Sequence, residues 1–221
     1  MNDVQLLISD LLLSPHDRRL VPGPRGPSPL LSAVMRELGE NGLPGVPARP
    51  APRVSPLAFG LAEAERERER SGFNCGPGAL AAAAGVTPER AVAAIPGFAR
   101  RGHTTETMMA LGLAGLGLRF RWVWTLDGAA ARPAGPALVR VVYGDGSVLD
   151  RLRRSHWVMR RPAESGGEEV FDVNAIRFGG WMSDEEWRTS LAPWLGDTVF
   201  GGLRVTSESE LFALASPAAG S

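Results

Sequence analysis

Lysine is absent from this 221-residue chain, and all 24 cationic side chains are arginine. They balance 24 Asp and Glu, for a net charge near zero. The basic excess that general nucleic-acid binding requires is therefore missing. A lysine-free composition rich in Ala, Gly, Pro and Arg reflects a GC-rich genome more than a function. Cysteine occurs once, which excludes an internal disulfide and any Cys-rich metal site. His16, His103 and His156 are scattered, with no pair at metal-ligand spacing, so neither a metal nor another cofactor is expected. Glutamine also occurs once, as Gln5. No apolar run approaches the roughly 20 residues that span a bilayer. Asp3 and Asp10 flank Val4–Ile8, so the start lacks the basic residues of a secretory signal. These absences predict a soluble, cytoplasmic protein in a reducing compartment, with no membrane partner.

What is present divides the chain. Residues 1–60 hold a short amphipathic stretch, Val4 to Leu13, and a helix-prone stretch, Leu30 to Leu38. Pro44, Pro47, Pro50, Pro52 and Pro56 follow, a density that no regular helix or central strand tolerates. The segment reads as an arm or linker outside the main core, suited to a protein partner or to self-assembly. Residues 61–210 carry the periodic patterns and read as the main domain; 211–221 read as a flexible tail.

Within the domain, helices come first. Leu61 to Arg70 contains Glu65 to Arg70 in alternating charge, a solvated helix face. Leu80-Ala81-Ala82-Ala83-Ala84 continues a second helix, and Thr87-Pro88 is the N-cap and first position of a third. A further helix covers Thr105 to Ala114, closed by Gly115 and Gly117. The period then changes to that of strands: Leu118 to Trp124, Ala137 to Tyr143, His156 to Arg160 and Glu169 to Val173. Ser165-Gly166-Gly167 joins the last two as a hairpin. Ser183 and Glu186 form a capping box ahead of a short helix, and Leu203 to Val205 adds a last strand. Helices followed by antiparallel strands define an α+β chain.

The chemistry centres on Ser71-Gly72-Phe73-Asn74-Cys75-Gly76-Pro77-Gly78-Ala79-Leu80. Turn formers precede Cys75 and a helical run follows it, which places the sulfur at a helix N-terminus, where unpaired N–H groups favour thiolate. A thiolate nucleophile needs a base on another element, and His156 opens an apolar strand far downstream. Asp172, on the paired strand, falls near His156 and can fix its tautomer. Six tryptophans read chiefly as core packing, with one groove wall among them. His103, on a loop before a helix, is a further cleft candidate.

Asn74-Cys75-Gly76-Pro77-Gly78-Ala79-Leu80 resembles the nucleophile motif of papain-like cysteine peptidases, in particular the bacteriocin-processing (double-glycine leader) peptidase group. Pro136-Ala137-Leu138-Val139, His156-Trp157-Val158, Asp172 and Gly180-Trp181-Met182-Ser183 match that group in order, over about residues 70–205. The resemblance implies a papain-like fold with a Cys75–His156–Asp172 triad and a peptide or protein substrate. It also implies small residues near the cut, in a cleft bordered by Gly76, Trp157 or Trp181. The group places an oxyanion-stabilising Gln six residues before the cysteine, where this chain has Glu69; Asn74 and the Cys75 N–H are the oxyanion candidates left. Loss of the Gln sets a second reading beside the enzyme: a catalytically weak or inactive module that works within an assembly through its arm. A third reading makes residues 1–60 a self-inhibiting pro-segment.

Overall fold

Alanine and glycine let one helix be surrounded on all sides. In the helix Cys75–Ala84, every residue from Gly76 onward is buried, as expected of a helix that is apolar around its whole circumference. The computed structural model describes residues 29–49, 57–123, 135–144 and 154–215. Among them the chain is α+β, with α1 (Pro29–Asn41), α2 (Leu61–Ser71), α3 (Cys75–Ala84), α4 (Pro88–Ala94), α5 (Phe98–Arg101) and α6 (Glu106–Gly115) preceding most of the sheet. The strands are β1 (Phe120–Trp122), β2 (Ala137–Gly144), β3 (Ser155–Pro162), β4 (Glu168–Phe171), β5 (Trp181–Ser183) and β6 (Arg204–Leu214). A 3-10 segment, Val173–Phe178, lies between β4 and β5. Between β5 and β6 run α7 (Asp184–Glu186), a π turn (Trp187–Leu191) and α8 (Ala192–Thr198).

The sheet is antiparallel, in the order β1-β6-β2-β3-β4-β5. Alternation along β2, β3 and β4 feeds two cores. Leu138, Trp157, Met159 and Phe171 point under α3 and the other N-terminal helices. Val139, Val141, Val158 and Val170 point the other way, against Trp187, Ala192 and Leu195. Strands covered on both faces carry consecutive apolar residues, as Ala137-Leu138-Val139 and Trp157-Val158-Met159 do. Each core residue of this kind contributes about 1.5–3 kcal/mol through burial.

Several expectations need correction. Residues 29–49 are part of the core and not an arm. Leu31, Val34, Met35 and Leu38 recur at helical spacing and are all buried, and α1 packs on β1 and α6. At Gly39 an added Cβ would lie 2.2 Å from the Phe120 carbonyl oxygen, so this approach requires glycine. Arg49 then pairs its backbone with Gly117 at 2.8 Å, and its guanidinium donates to the Ala84 carbonyl at the end of α3, a favourable place for a cation. The last strand is not a short addition. β6 runs through Leu214, pairs with β2 and β1, and buries Leu211 and Phe212, so residues 211–214 are sheet and not tail. Val173 begins the 3-10 segment and does not extend β4.

Thr87 and Ser183 are N-caps as expected, accepting from the Arg90 and Glu186 N–H groups. Thr105, expected inside its helix, is instead the cap and accepts from the Met108 N–H. The β3–β4 turn uses Gly166 and Gly167 at φ 89° and 84°, conformations that glycine adopts at little cost. The stretch Val4–Leu13, residues 50–56, Trp124 and residues 216–221 lie outside the described residues. Among the described residues, no helix is long and apolar enough to cross a membrane.

Candidate active site

Cys75 is the first residue of α3, and Asn74 is its N-cap, in extended conformation, accepting from the Gly76 N–H. The Gly78 N–H goes to the Asn74 carbonyl and Pro77 has no N–H, so the Cys75 N–H is the donor left over in this turn. Among the described residues the Cys75 N–H has no acceptor. Gly76 packs against Thr104: an added Cβ would lie 2.3 Å from Thr104 Oγ1. The glycine therefore lets the loop before α6 press against the start of α3. It is buried there and is no part of a cleft wall.

His156 is the second residue of β3 and is buried. Its Nε2 donates to Asp172 Oδ2 at 2.8 Å, which leaves Nδ1 for the side-chain hydrogen bond that joins it to Cys75. Asp172 follows β4 and is fully buried. Its backbone N–H turns away from the β3 ladder to the Gly180 carbonyl at 2.9 Å. Four donors surround its carboxylate. Oδ2 also accepts from Trp187 Nε1 at 3.0 Å, and Oδ1 accepts from the Asn174 N–H and Nδ2, each at 2.9 Å.

The charges follow from this arrangement. Burial pushes the Cys75 thiol up, but the adjacent His156 charge, the His156 hydrogen bond and the Trp157 backbone N–H together hold it below its ordinary value. Burial opposes charge on His156 too; Asp172 and the Cys75 thiolate overcome it and raise the imidazole to about 10. Burial raises the Asp172 carboxyl, while His156, Trp187 and Asn174 outweigh it and hold the group below the usual carboxylate range. Each shift favours the charged form: thiolate at Cys75, imidazolium at His156 and carboxylate at Asp172. Such a triad titrates as a unit.

The site opens on a cleft of about 490 Å³. Cys75, His156 and Asn74 line it on one side, α2 borders it through Arg68, and Trp194 and Phe200 form an apolar wall. Of the residues expected at the cleft, three besides Gly76 lie elsewhere. Trp157 is 2% exposed and stacks on Phe212 in the core. Trp181, on β5, lies beside Phe171 and under the Arg161 guanidinium, 3.7 Å from the ring centre, and does not line the cleft. His103 is exposed outside it, and its Nδ1 bonds to the Arg101 carbonyl at 3.0 Å. Asn74 stands at the cleft, but its Nδ2 donates to Gly102 O at 2.8 Å, leaving one N–H. Glu69 is exposed and does not line the cleft. Among the described residues no three His, Cys, Asp or Glu side chains gather as a metal site requires.

Sequence reading missed Trp187. It is fully buried, at the start of the π turn, and Pro193 lies just beyond that turn without an N–H to continue an α-helical ladder. Trp187→Phe keeps a ring and removes the donor. We expect a loss of about 1.5–3 kcal/mol, the worth of a hydrogen bond to a charged group. The acid limb of Cys75 alkylation should also move to higher pH. An unmoved limb would reduce the indole to packing.

Comparison of the chain with models of known protein families, with curated proteins and with solved structures yields no match.

Proposed function

We propose that the protein is a papain-like thiol hydrolase or transferase acting on amide bonds of a peptide or protein, with Cys75 as nucleophile. The observation that carries this reading is the buried His156–Asp172 pair set against a cysteine at a helix N-terminus that opens on a cleft. The Cys75 thiolate adds to the carbonyl carbon, and the carbonyl electron pair moves to oxygen. That oxyanion faces the unpaired Cys75 N–H, with the remaining Asn74 N–H as the second donor. His156 gives its proton to the departing nitrogen as the C–N bond breaks, leaving a thioester on Cys75. A water or amine then attacks the thioester, and His156 takes its proton. Asp172 keeps the ring oriented and compensates its charge throughout.

A catalytically weak binding module is the competing reading. Commitment of Asn74 Nδ2 to Gly102 favours it, since losing one oxyanion donor costs about 10²–10³ in rate.

The test is the pH dependence of Cys75 alkylation by iodoacetamide in the wild type and in His156→Ala. In the wild type, the thiolate should form well below the ordinary thiol value of about 8.5. A second inflection should appear near 10, where His156 loses its proton. In His156→Ala the thiol should return to its ordinary value or higher, so that at pH 6 alkylation slows by about a hundredfold or more. A wild-type rate that follows an ordinary thiol and ignores His156 would sink the enzyme reading.

A further inference from the structure

We infer that the cleft selects a polypeptide segment carrying a carboxylate beside a bulky apolar side chain. The inference rests on the thiol-hydrolase reading and adds the substrate class. Two guanidinium groups border the cavity from different elements, Arg68 on α2 and Arg177 on the 3-10 segment. Neither has an ion-pair partner among the described residues, whereas Arg140, Arg160, Arg161, Arg188 and Arg204 all do. The one carboxylate that also lines the cleft is Glu65. It stands i,i+3 from Arg68 without bonding to it, so the side chains at the mouth leave a cationic excess. His156, raised to about 10 beside Asp172, adds its charge to the same lining.

The apolar wall completes the specificity. Trp194 and Val199 line the cleft and are 49% and 57% exposed, so apolar surface faces its solvent. A cavity of about 490 Å³ with such a wall is larger than a pair of glycines needs. It fits an aromatic or branched aliphatic side chain laid on Trp194, with the carboxylate reaching Arg68 and Arg177. Charge complementarity of this kind directs selectivity and encounter more than raw affinity.

Cys75 itself provides the readout. Iodoacetate and iodoacetamide differ by one negative charge, so their rate ratio reports the cleft's field while cancelling the thiol's intrinsic reactivity. Arg68→Gln and Arg177→Gln should each lower the iodoacetate-to-iodoacetamide ratio by about two- to fivefold, the range of an exposed charge interaction. Glu65→Gln should raise it. High salt should reduce all these differences. A ratio unchanged in the double arginine variant, with the His156 dependence of alkylation intact, overturns the carboxylate inference alone. Loss of that His156 dependence instead counts against the hydrolase reading. Protection of Cys75 by peptides identifies the carboxylate's source. An end-capped peptide containing Phe-Glu should slow alkylation more than its Phe-Gln counterpart if the acid is a side chain. An uncapped Phe-Gln peptide should do so if the acid is a chain terminus. Equal protection by all three, or none by any, overturns the inference.

Discussion

Asp172→Asn should lower stability by about 3–5 kcal/mol, the cost of removing one partner from a buried ion pair, and slow Cys75 alkylation at pH 6 by about a hundredfold. The substitution is conservative in shape only. All four hydrogens around Asp172 point at it: His156 and Trp187 at Oδ2, the Asn174 backbone and side chain at Oδ1. An amide offers one oxygen, so its NH2 must face two donors whichever way it turns. The imidazolium loses its counter-charge, the His156 proton becomes easier to lose, and the thiolate loses its partner. For a chain of this size the stability change corresponds to a melting temperature lower by roughly 6–20 °C. Its pH dependence has a definite sign. The Asp172 carboxyl is held below its unfolded value, so its contribution is present above about pH 4 and lost as pH falls through the folded value. Wild type and variant should therefore converge in acid. A variant as stable as wild type at neutral pH would show that Asp172 does not carry the ion pair.

Glu208→Ala should cost about 2–4 kcal/mol although it lies outside the cleft. Glu208 on β6 receives Arg160 Nη2 at 2.9 Å and both terminal nitrogens of Arg188, Nη2 at 2.7 Å. The Arg160 side chain is 2% exposed, so its charge depends on these carboxylates. Asp184 at 3.2 Å and Glu168 at 3.8 Å remain to compensate it, which keeps the expected loss near or below the usual range for breaking a buried pair. The pair Arg204–Asp197 is exposed at both ends, and Arg204→Ala should change stability by less than about 0.5–1 kcal/mol. Glu208 also fastens Arg188, the residue after Trp187, to the sheet. Its loss should therefore loosen the indole's hold on Asp172 and raise the acid limb of Cys75 alkylation. A lower melting temperature with an unmoved limb would separate the charge cluster from the site.

Local chemistry was legible wherever neighbouring residues settle it. Asn74, Gly76 and Pro77 around the only cysteine marked the start of a buried helix, Thr87-Pro88 marked a cap, and Gly166-Gly167 marked the hairpin. The proximity of His156 and Asp172 followed from that hairpin. What remained hidden depends on distant parts of the chain. The resemblance implies Trp157 at the cleft, yet strand neighbours face opposite sides, and Trp157 turns under the helices. Trp187 sits among Glu185, Glu186 and Arg188 and Trp194 among Ala192, Pro193 and Leu195, so local polarity points the wrong way: Trp187 is sealed against Asp172, and Trp194 lies at the cleft. The prolines after Asn41 masked the stripe Leu31, Val34, Met35 and Leu38, which β1 and α6 cover. The middle of β6 reads Thr-Ser-Glu-Ser-Glu, and Arg160 and Arg188 make a place for Glu208 there within the sheet.

The position of β6 between β1 and β2 bears on how the protein is made. Synthesis delivers Cys75 long before His156 and Asp172, and β6 later still. Pairings between such distant segments form slowly, because the loop must close before its contacts can stabilise it. On the ribosome the cysteine is an ordinary, mostly protonated thiol, with neither counter-ion nor cleft. The cleft beside Cys75 is complete only once His156, Asp172 and the α8 residues Trp194 and Leu195 have been made and packed around it.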